Sequence, residues 1–108
     1  MSSIERVTQP TLDVLEALLA ADRLELHGWA IMKTTKRAGP TVYKVLDRLA
    51  EAGWVTRSWE EQPPDANRPR RRLYRLTADG CSRARALLAQ RRQVHLGQPK
   101  VLGTAGAA

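Results

Sequence analysis

The sequence predicts a mainly α (α+β) domain with the element order α-β-α-α-β-β-α, and three observations predict it. Apolar residues recur at helical spacing in three stretches, most cleanly at Val42, Val45, Leu46 and Leu49. Two short segments rich in β-branched and aromatic residues, 54–60 and 72–76, flank a proline-containing loop and read as a hairpin. The length, 108 residues, holds one domain.

Each element has a local cause. Thr8 caps a first helix over about residues 9–21, and Pro10 suits its first turn because an N–H there has no partner within the helix. Leu12, Leu15, Leu18 and Leu19 share one face of it, and Asp22 and Arg23 end it. Leu24-Glu25-Leu26 alternates apolar and polar, is too short for a helix, and reads as a three-residue strand. His27-Gly28 leads into a second helix from Trp29 to about Lys36, with Ile31 as its core residue, although Thr34 and Thr35 are poor helix formers.

Gly39 punctuates the following turn and Pro40 takes the first position of a third helix. Gly53 ends that helix as a left-handed cap. After the hairpin, Thr77 caps a last helix and Asp79 complements its dipole. Cys81, Ala84, Leu87, Leu88 and Val94 form its apolar stripe, and Gly97 and Pro99 stop it. The expected organisation is a flexible terminus over 1–8, the main domain over 9–76, a dimerisation helix over 77–96 and a disordered tail over 97–108.

Charge is unevenly spread around a net +7. Residues 1–32 are acidic, with Arg6 and Arg23 against Glu5, Asp13, Glu16, Asp22 and Glu25. Residues 33–48 carry Lys33, Lys36, Arg37, Lys44 and Arg48 against Asp47 alone. Residues 66–75 carry Arg68, Arg70, Arg71, Arg72 and Arg75 and no acid. Two separate basic blocks predict a shaped face for a polyanion rather than a basic tail.

Other classes are poorly served. Cys81 is the only cysteine, so no internal disulfide forms, and a small core hydrophobe is a better reading of it than a redox switch. His27 and His95 lack ligand-spaced partners; His27 reads as a hydrogen-bonded residue before the second helix, and no metal or cofactor is expected. No phosphate loop, paired carboxylates or nucleophile set stands out, so no enzyme is expected. With no signal-peptide core and no long apolar run, the expected location is cytoplasmic and nucleoid-associated, with no membrane partner.

Two short helices joined by a tight turn, the second amphipathic, make a helix-turn-helix, and the hairpin after it makes a wing. In a winged helix-turn-helix the second of these helices enters the major groove of double-stranded DNA with its N-terminal residues at base edges. The basic blocks fall on the turn, that helix and the wing. Candidate DNA contacts are therefore Lys36, Arg37, Pro40, Thr41, Tyr43, Lys44 and Arg48, with Arg68, Arg70, Arg71 and Arg72 from the wing. Tyr43 has half-buried packing as its alternative. Of Trp29, Trp54 and Trp59, Trp54 reads as core packing, whereas Trp59, on an exposed strand, is the better pocket or interface candidate.

Several segments together resemble the PadR-like transcriptional regulators, in particular their short actinobacterial subfamily. They are Leu26-His27-Gly28-Trp29, the run Gly39-Pro40-Thr41-Val42-Tyr43-Lys44-Val45-Leu46-Asp47-Arg48-Leu49, Glu51-Ala52-Gly53-Trp54-Val55, and Arg68-Pro69-Arg70-Arg71-Arg72-Leu73-Tyr74-Arg75-Leu76-Thr77 with Gly80. The resemblance covers about residues 11–92. It implies a homodimer built through the last helix with helix 1 contributing, a repressor bound to a pseudo-palindromic operator, and a flat pocket between subunits for a small-molecule effector, with Trp59 as the candidate lining residue. Candidate dimer residues are Leu12, Leu15, Ala84, Leu87 and Leu88. Three features depart from the pattern: the turn before the third helix is shorter, Asn67 stands where the family has Gly, and the last helix is single and short.

Two other readings compete. A winged helix can serve as a protein-interaction or assembly module, for which the acidic stretches 1–32 and 49–65 are available. A non-specific nucleic-acid binder is the third, weakened by the scarcity of exposed aromatics for stacking.

Overall fold

The computed structural model describes residues 7–61 and 69–96. The chain runs α1 (Gln9–Ala20), a 3-10 turn (Asp22–Leu24), β1 (Glu25–His27), α2 (Gly28–Thr35), α3 (Gly39–Glu51), β2 (Val55–Trp59), β3 (Arg72–Leu76) and α4 (Ala78–Leu96). This is the predicted order. Arg68, the tip of the hairpin loop, both termini and the stop at Gly97 and Pro99 lie outside the described residues.

The caps are those the sequence supplies. Thr8 Oγ1 accepts from the Thr11 backbone N–H at 3.3 Å and opens α1, with Pro10 in its first turn. Gly53, at φ 82°, ends α3. The Trp54 N–H reaches back to the Leu49 carbonyl at 2.9 Å and the Gly53 N–H to that of Ala50 at 3.1 Å, so two otherwise orphaned carbonyls are satisfied. The first short strand begins one residue later than expected, because Leu24 is taken into the preceding turn. Arg23 and Leu24 there both have left-handed backbones, at φ 60° and 58°. Each carries a conformational penalty of about 1–2 kcal/mol. Packing of Leu24 against the core offsets part of it.

The three strands form one antiparallel sheet in the order β1-β3-β2. Tyr74 at the middle of β3 faces Leu26 of β1 on one side and Arg57 of β2 on the other. The helices pack around a core made by Val14, Leu15 and Leu18 of α1, Ile31 of α2, the four predicted residues of α3, and Trp54, Val55, Tyr74, Leu76 and Ala84. Leu15, Leu18, Ile31, Leu46 and Leu49 are fully buried. Cys81 is half-buried and packs against this core, as a small apolar side chain does.

The end of α3 is locked to the start of α4. Thr77 Oγ1 accepts from the Gly80 N–H at 2.8 Å and donates to the Gly53 carbonyl at 2.9 Å. The Thr77 N–H donates to the Trp54 carbonyl at 2.9 Å. Gly80 is buried where a Cβ would lie 2.0 Å from the Trp54 carbonyl oxygen, so only glycine lets the two backbones approach this closely.

Candidate nucleic-acid interface

α3 buries one stripe and exposes the other. Val42, Val45, Leu46 and Leu49 hold it to the core, which leaves Pro40, Thr41, Tyr43, Lys44, Asp47 and Arg48 exposed. Thr41 and Lys44 are exposed in its first turns, where donors and cations can meet an approaching polyanion. Asp47, which shares this face with Glu51, is engaged: Arg57 of β2 reaches its carboxylate at 3.2 Å, tying wing to helix.

Tyr43 does two things. Its ring is 40% exposed, yet one edge lies on the backbone of Gly28, and it tilts against Tyr74 with ring centroids 6.3 Å apart. The packing that was the alternative reading is thus present beside an exposed edge. Burial pushes the Tyr74 phenol above its ordinary value, so that ring stays neutral across the physiological range.

Two of the expected cations are committed within the chain. Arg37 Nε donates to Asp13 Oδ2 at 2.7 Å, which fastens the α2–α3 turn to α1. Burial raises the Asp13 carboxyl, but hydrogen bonds from Gln9 and Arg37 and the Arg37 charge outweigh it and hold the group below the usual carboxylate range. Arg72 lies over the exposed ring of Trp59, 4.5 Å from its centroid, an outcome of their pairing across the hairpin. Lys36 is exposed in the turn and adopts a left-handed conformation, φ 59° and ψ 35°. Arg70 is exposed.

The root of the wing is organised around Glu60, which sequence reasoning passed over, and around a contact of Trp29 with two cations that it did not foresee. Glu60 Oε1 accepts from the Arg71 backbone N–H at 3.1 Å, and Glu60 Oε2 meets His27 Nε2 at 3.3 Å. His27 is therefore the hydrogen-bonded residue before α2 that was expected. The Arg71 guanidinium and the Lys33 ammonium both lie over Trp29, 4.8 and 5.0 Å from the ring centroid. Only one signal was available in advance: Trp29 and Lys33 are four apart on one helix, the spacing at which side chains meet.

The proposed dimer residues divide. Leu15 and Ala84 are fully buried in the chain's own core, and Leu12 is nearly so at 9% exposure. The α1 stripe packs on α2, α3 and α4, and Ala84 of α4 joins the same core. Leu87 and Leu88 are half-buried. Trp59 is 54% exposed. A cleft of about 330 Å³ lies elsewhere, between α1 and α2, lined by Asp13, Glu16, Ala17, Ala20, Thr34 and Thr35. Among the described residues no three His, Cys, Asp or Glu side chains gather to hold a metal ion, and no helix is long and apolar enough to cross a membrane.

Solved structures share this fold. The probable transcriptional regulator from Pseudomonas aeruginosa superimposes with a TM-score of 0.72 at 21% identity, over 92% of this chain and 69% of that one. A protein from Streptococcus mutans gives 0.71 at 20% identity, over 98% and 100%. A MarR family transcriptional regulator from Streptomyces coelicolor, solved in complex with DNA, gives 0.69 at 20% identity over 94% of this chain and 60% of that one. The chain thus spans 60–69% of the length of those two regulators and the whole of the Streptococcus protein. No curated protein matches it by sequence. A family model does, that of the transcriptional regulator PadR-like family, over residues 14–86. That span runs from the buried face of α1 through the wing and into α4, and the chain belongs to the PadR-like transcriptional regulator family.

Proposed function

We propose that this protein is a sequence-specific DNA-binding regulator that acts as a dimeric repressor at a pseudo-palindromic operator in the cytoplasm. One observation carries the reading. The exposed face of α3, with Thr41 and Lys44 in its first turns and Arg48 further along, is tied through Asp47 to Arg57 of the hairpin whose returning arm bears Arg70, Arg71 and Arg72. A groove-entering helix and a phosphate-contacting wing need this pairing. The DNA complex of the Streptomyces coelicolor regulator, which shares the fold, lends support.

In this reading α3 enters the major groove. Thr41 and Lys44 meet base edges, Tyr43 offers its exposed edge to a phosphate, and Arg48 and the wing arginines bind the backbone. Lys36 adds a phosphate contact at the turn. Arg37 acts indirectly, by holding the turn on α1. The dimer forms along α4, whose 19 residues span about 28 Å, with Leu88 and the open side of Leu87 in the seam. Half-sites then lie about one helical turn of DNA apart.

The test is a titration of random genomic fragments with purified protein at moderate salt, followed by sequencing of the retained DNA. Enrichment of one pseudo-palindromic site establishes the specific dimeric regulator. Retention without sequence preference replaces it with an architectural role, and no retention favours an assembly module. Sedimentation velocity of the free protein tests the dimer separately.

A further inference from the structure

We infer that Trp29 is a positioning residue for the DNA backbone: its exposed indole gathers Lys33 of α2 and Arg71 of the wing into one two-cation phosphate site. The inference rests on the DNA-binding reading above and adds a site to it.

Trp29 is the second residue of α2 and its ring is 48% exposed, although the residues on either side of it in the core, Gly28 and Ile31, are buried. A large apolar ring left in water near a core edge has a weak claim as packing. What it does contact is charge. Lys33 Nζ and the Arg71 guanidinium lie 5.0 and 4.8 Å from its centroid, within the range where the negative face of an indole attracts cations. Among the described residues neither side chain makes an ion pair. Two like charges from different elements are therefore held near one ring, and the described carboxylate beside them, Glu60, meets the Arg71 backbone N–H and His27 rather than either cationic side chain. The natural counter-charge is an anion from outside, and a phosphodiester oxygen suits an ammonium and a guanidinium together.

The backbone supports the same arrangement. The Arg71 N–H is fixed on Glu60, and Glu60 is fixed on His27, two residues before Trp29. The wing root and the start of α2 are thus joined twice, once through His27 and Glu60 and once through the ring and its cations. Trp29 sets where the Arg71 charge sits relative to the helix-turn-helix, which decides whether wing and helix can meet one duplex at the same time.

The experiment measures fluorescence anisotropy of a labelled 30-base-pair duplex of random sequence against salt, for the full chain and its variants. Trp29→Ala is expected to weaken binding by about fivefold at moderate salt and Trp29→Tyr by less than about twofold, since a smaller aromatic face still attracts cations. Arg71→Ala is expected to weaken the wild type more than it weakens Trp29→Ala, because the ring and the guanidinium act as a unit. Thermal melting of Trp29→Ala should stay close to wild type, which separates positioning from folding. Wild-type binding with Trp29→Ala unchanged, or with Arg71→Ala fully additive, overturns the inference and leaves the DNA-binding reading standing. A wild type that does not bind the duplex at low salt overturns both.

Discussion

The Tyr43 ring lies on the backbone of Gly28 so closely that a methyl group at residue 28 would sit 2.6 Å from the phenolic oxygen and 2.7 Å from Cε1. A side chain from α3 thus rests on the first residue of α2. The obstacle is the far end of a rotatable side chain, and Tyr43 has solvent beside it into which it can move. Gly28→Ala is therefore expected to fold, to displace the ring from Tyr74 and to cost about 1 kcal/mol. In a Tyr43→Ala background the same change should be neutral or slightly stabilising, because alanine is the better helix residue once the ring is gone. Urea unfolding of the four proteins measures this coupling, and equal penalties in both backgrounds would contradict the contact.

Gly80 allows no such escape. The Cβ of Gly80→Ala would meet the Trp54 carbonyl oxygen at 2.0 Å and the Trp54 Cα at 2.7 Å, which are backbone atoms held by the α3 cap. The expected cost is about 3 kcal/mol or more, enough to unfold much of a small domain. Thr77→Ala should cost about 1–2 kcal/mol by orphaning the Gly80 N–H, and Thr77→Ser should recover most of it by keeping the hydroxyl. Circular dichroism melts of the three variants rank them, and a Gly80→Ala protein that melts like wild type would refute the clash.

The fold was legible wherever the cause was local. The 3.6-residue period of Val42, Val45, Leu46 and Leu49, the cap at Thr77 and the left-handed Gly53 each act over a few residues, and each stands where expected. Gly28 and Gly80 matched a family pattern, but their physical reasons are contacts with Tyr43 and Trp54 from other elements. The cation stacks at Trp29 and Trp59 depend on strand register, which is set by the whole sheet. Leu15 and Ala84 illustrate the same limit: an apolar stripe on a helix does not say whether its own core or a partner will cover it, and here the core does. Two turns were opaque for a different reason, since Leu24 and Lys36 take left-handed backbones that sequence rules reserve for glycine and asparagine.

That choice at Lys36 has a measurable consequence. An exposed lysine at φ 59° and ψ 35° carries a steric penalty that glycine avoids. After allowing for the extra freedom of glycine in the unfolded chain, Lys36→Gly should stabilise the protein by about 0.5–1 kcal/mol. The same variant loses a cation in the helix-turn-helix turn and should bind duplex DNA more weakly. Opposite shifts in melting temperature and duplex affinity would identify Lys36 as a residue kept for charge at the expense of conformation. A drop in stability would mean that its side chain contributes contacts beyond its charge.

The Asp13–Arg37 pair predicts a pH dependence. The Asp13 carboxyl is held below the usual carboxylate range in the folded protein, so its stabilising contribution is present above that range and is lost as pH falls through the lowered value. Asp13→Asn should therefore cost about 0.5–1 kcal/mol at pH 7, and the gap from wild type should close on acidification below about pH 4. Melting curves across that interval check the sign, and a gap that widens in acid would reverse it.

The salt dependence of DNA binding separates free cations from committed ones. Arg70 is exposed at the wing root, whereas the charge of Arg37 is matched by Asp13 at 2.7 Å. Each phosphate contact contributes about 0.9 to the slope of log affinity against log salt. Arg70→Ala should make that slope shallower by about one and weaken binding to all duplexes alike. Arg37→Ala should leave the slope nearly unchanged while weakening binding in proportion to the loosening of the turn. The double variant Asp13→Asn with Arg37→Ala should then bind much as the single Arg37→Ala does, since among the described residues Asp13 pairs with no other cation. If Arg37→Ala flattens the slope as much as Arg70→Ala, the guanidinium leaves Asp13 for phosphate when DNA binds. The turn would then be fastened to α1 only in the free protein.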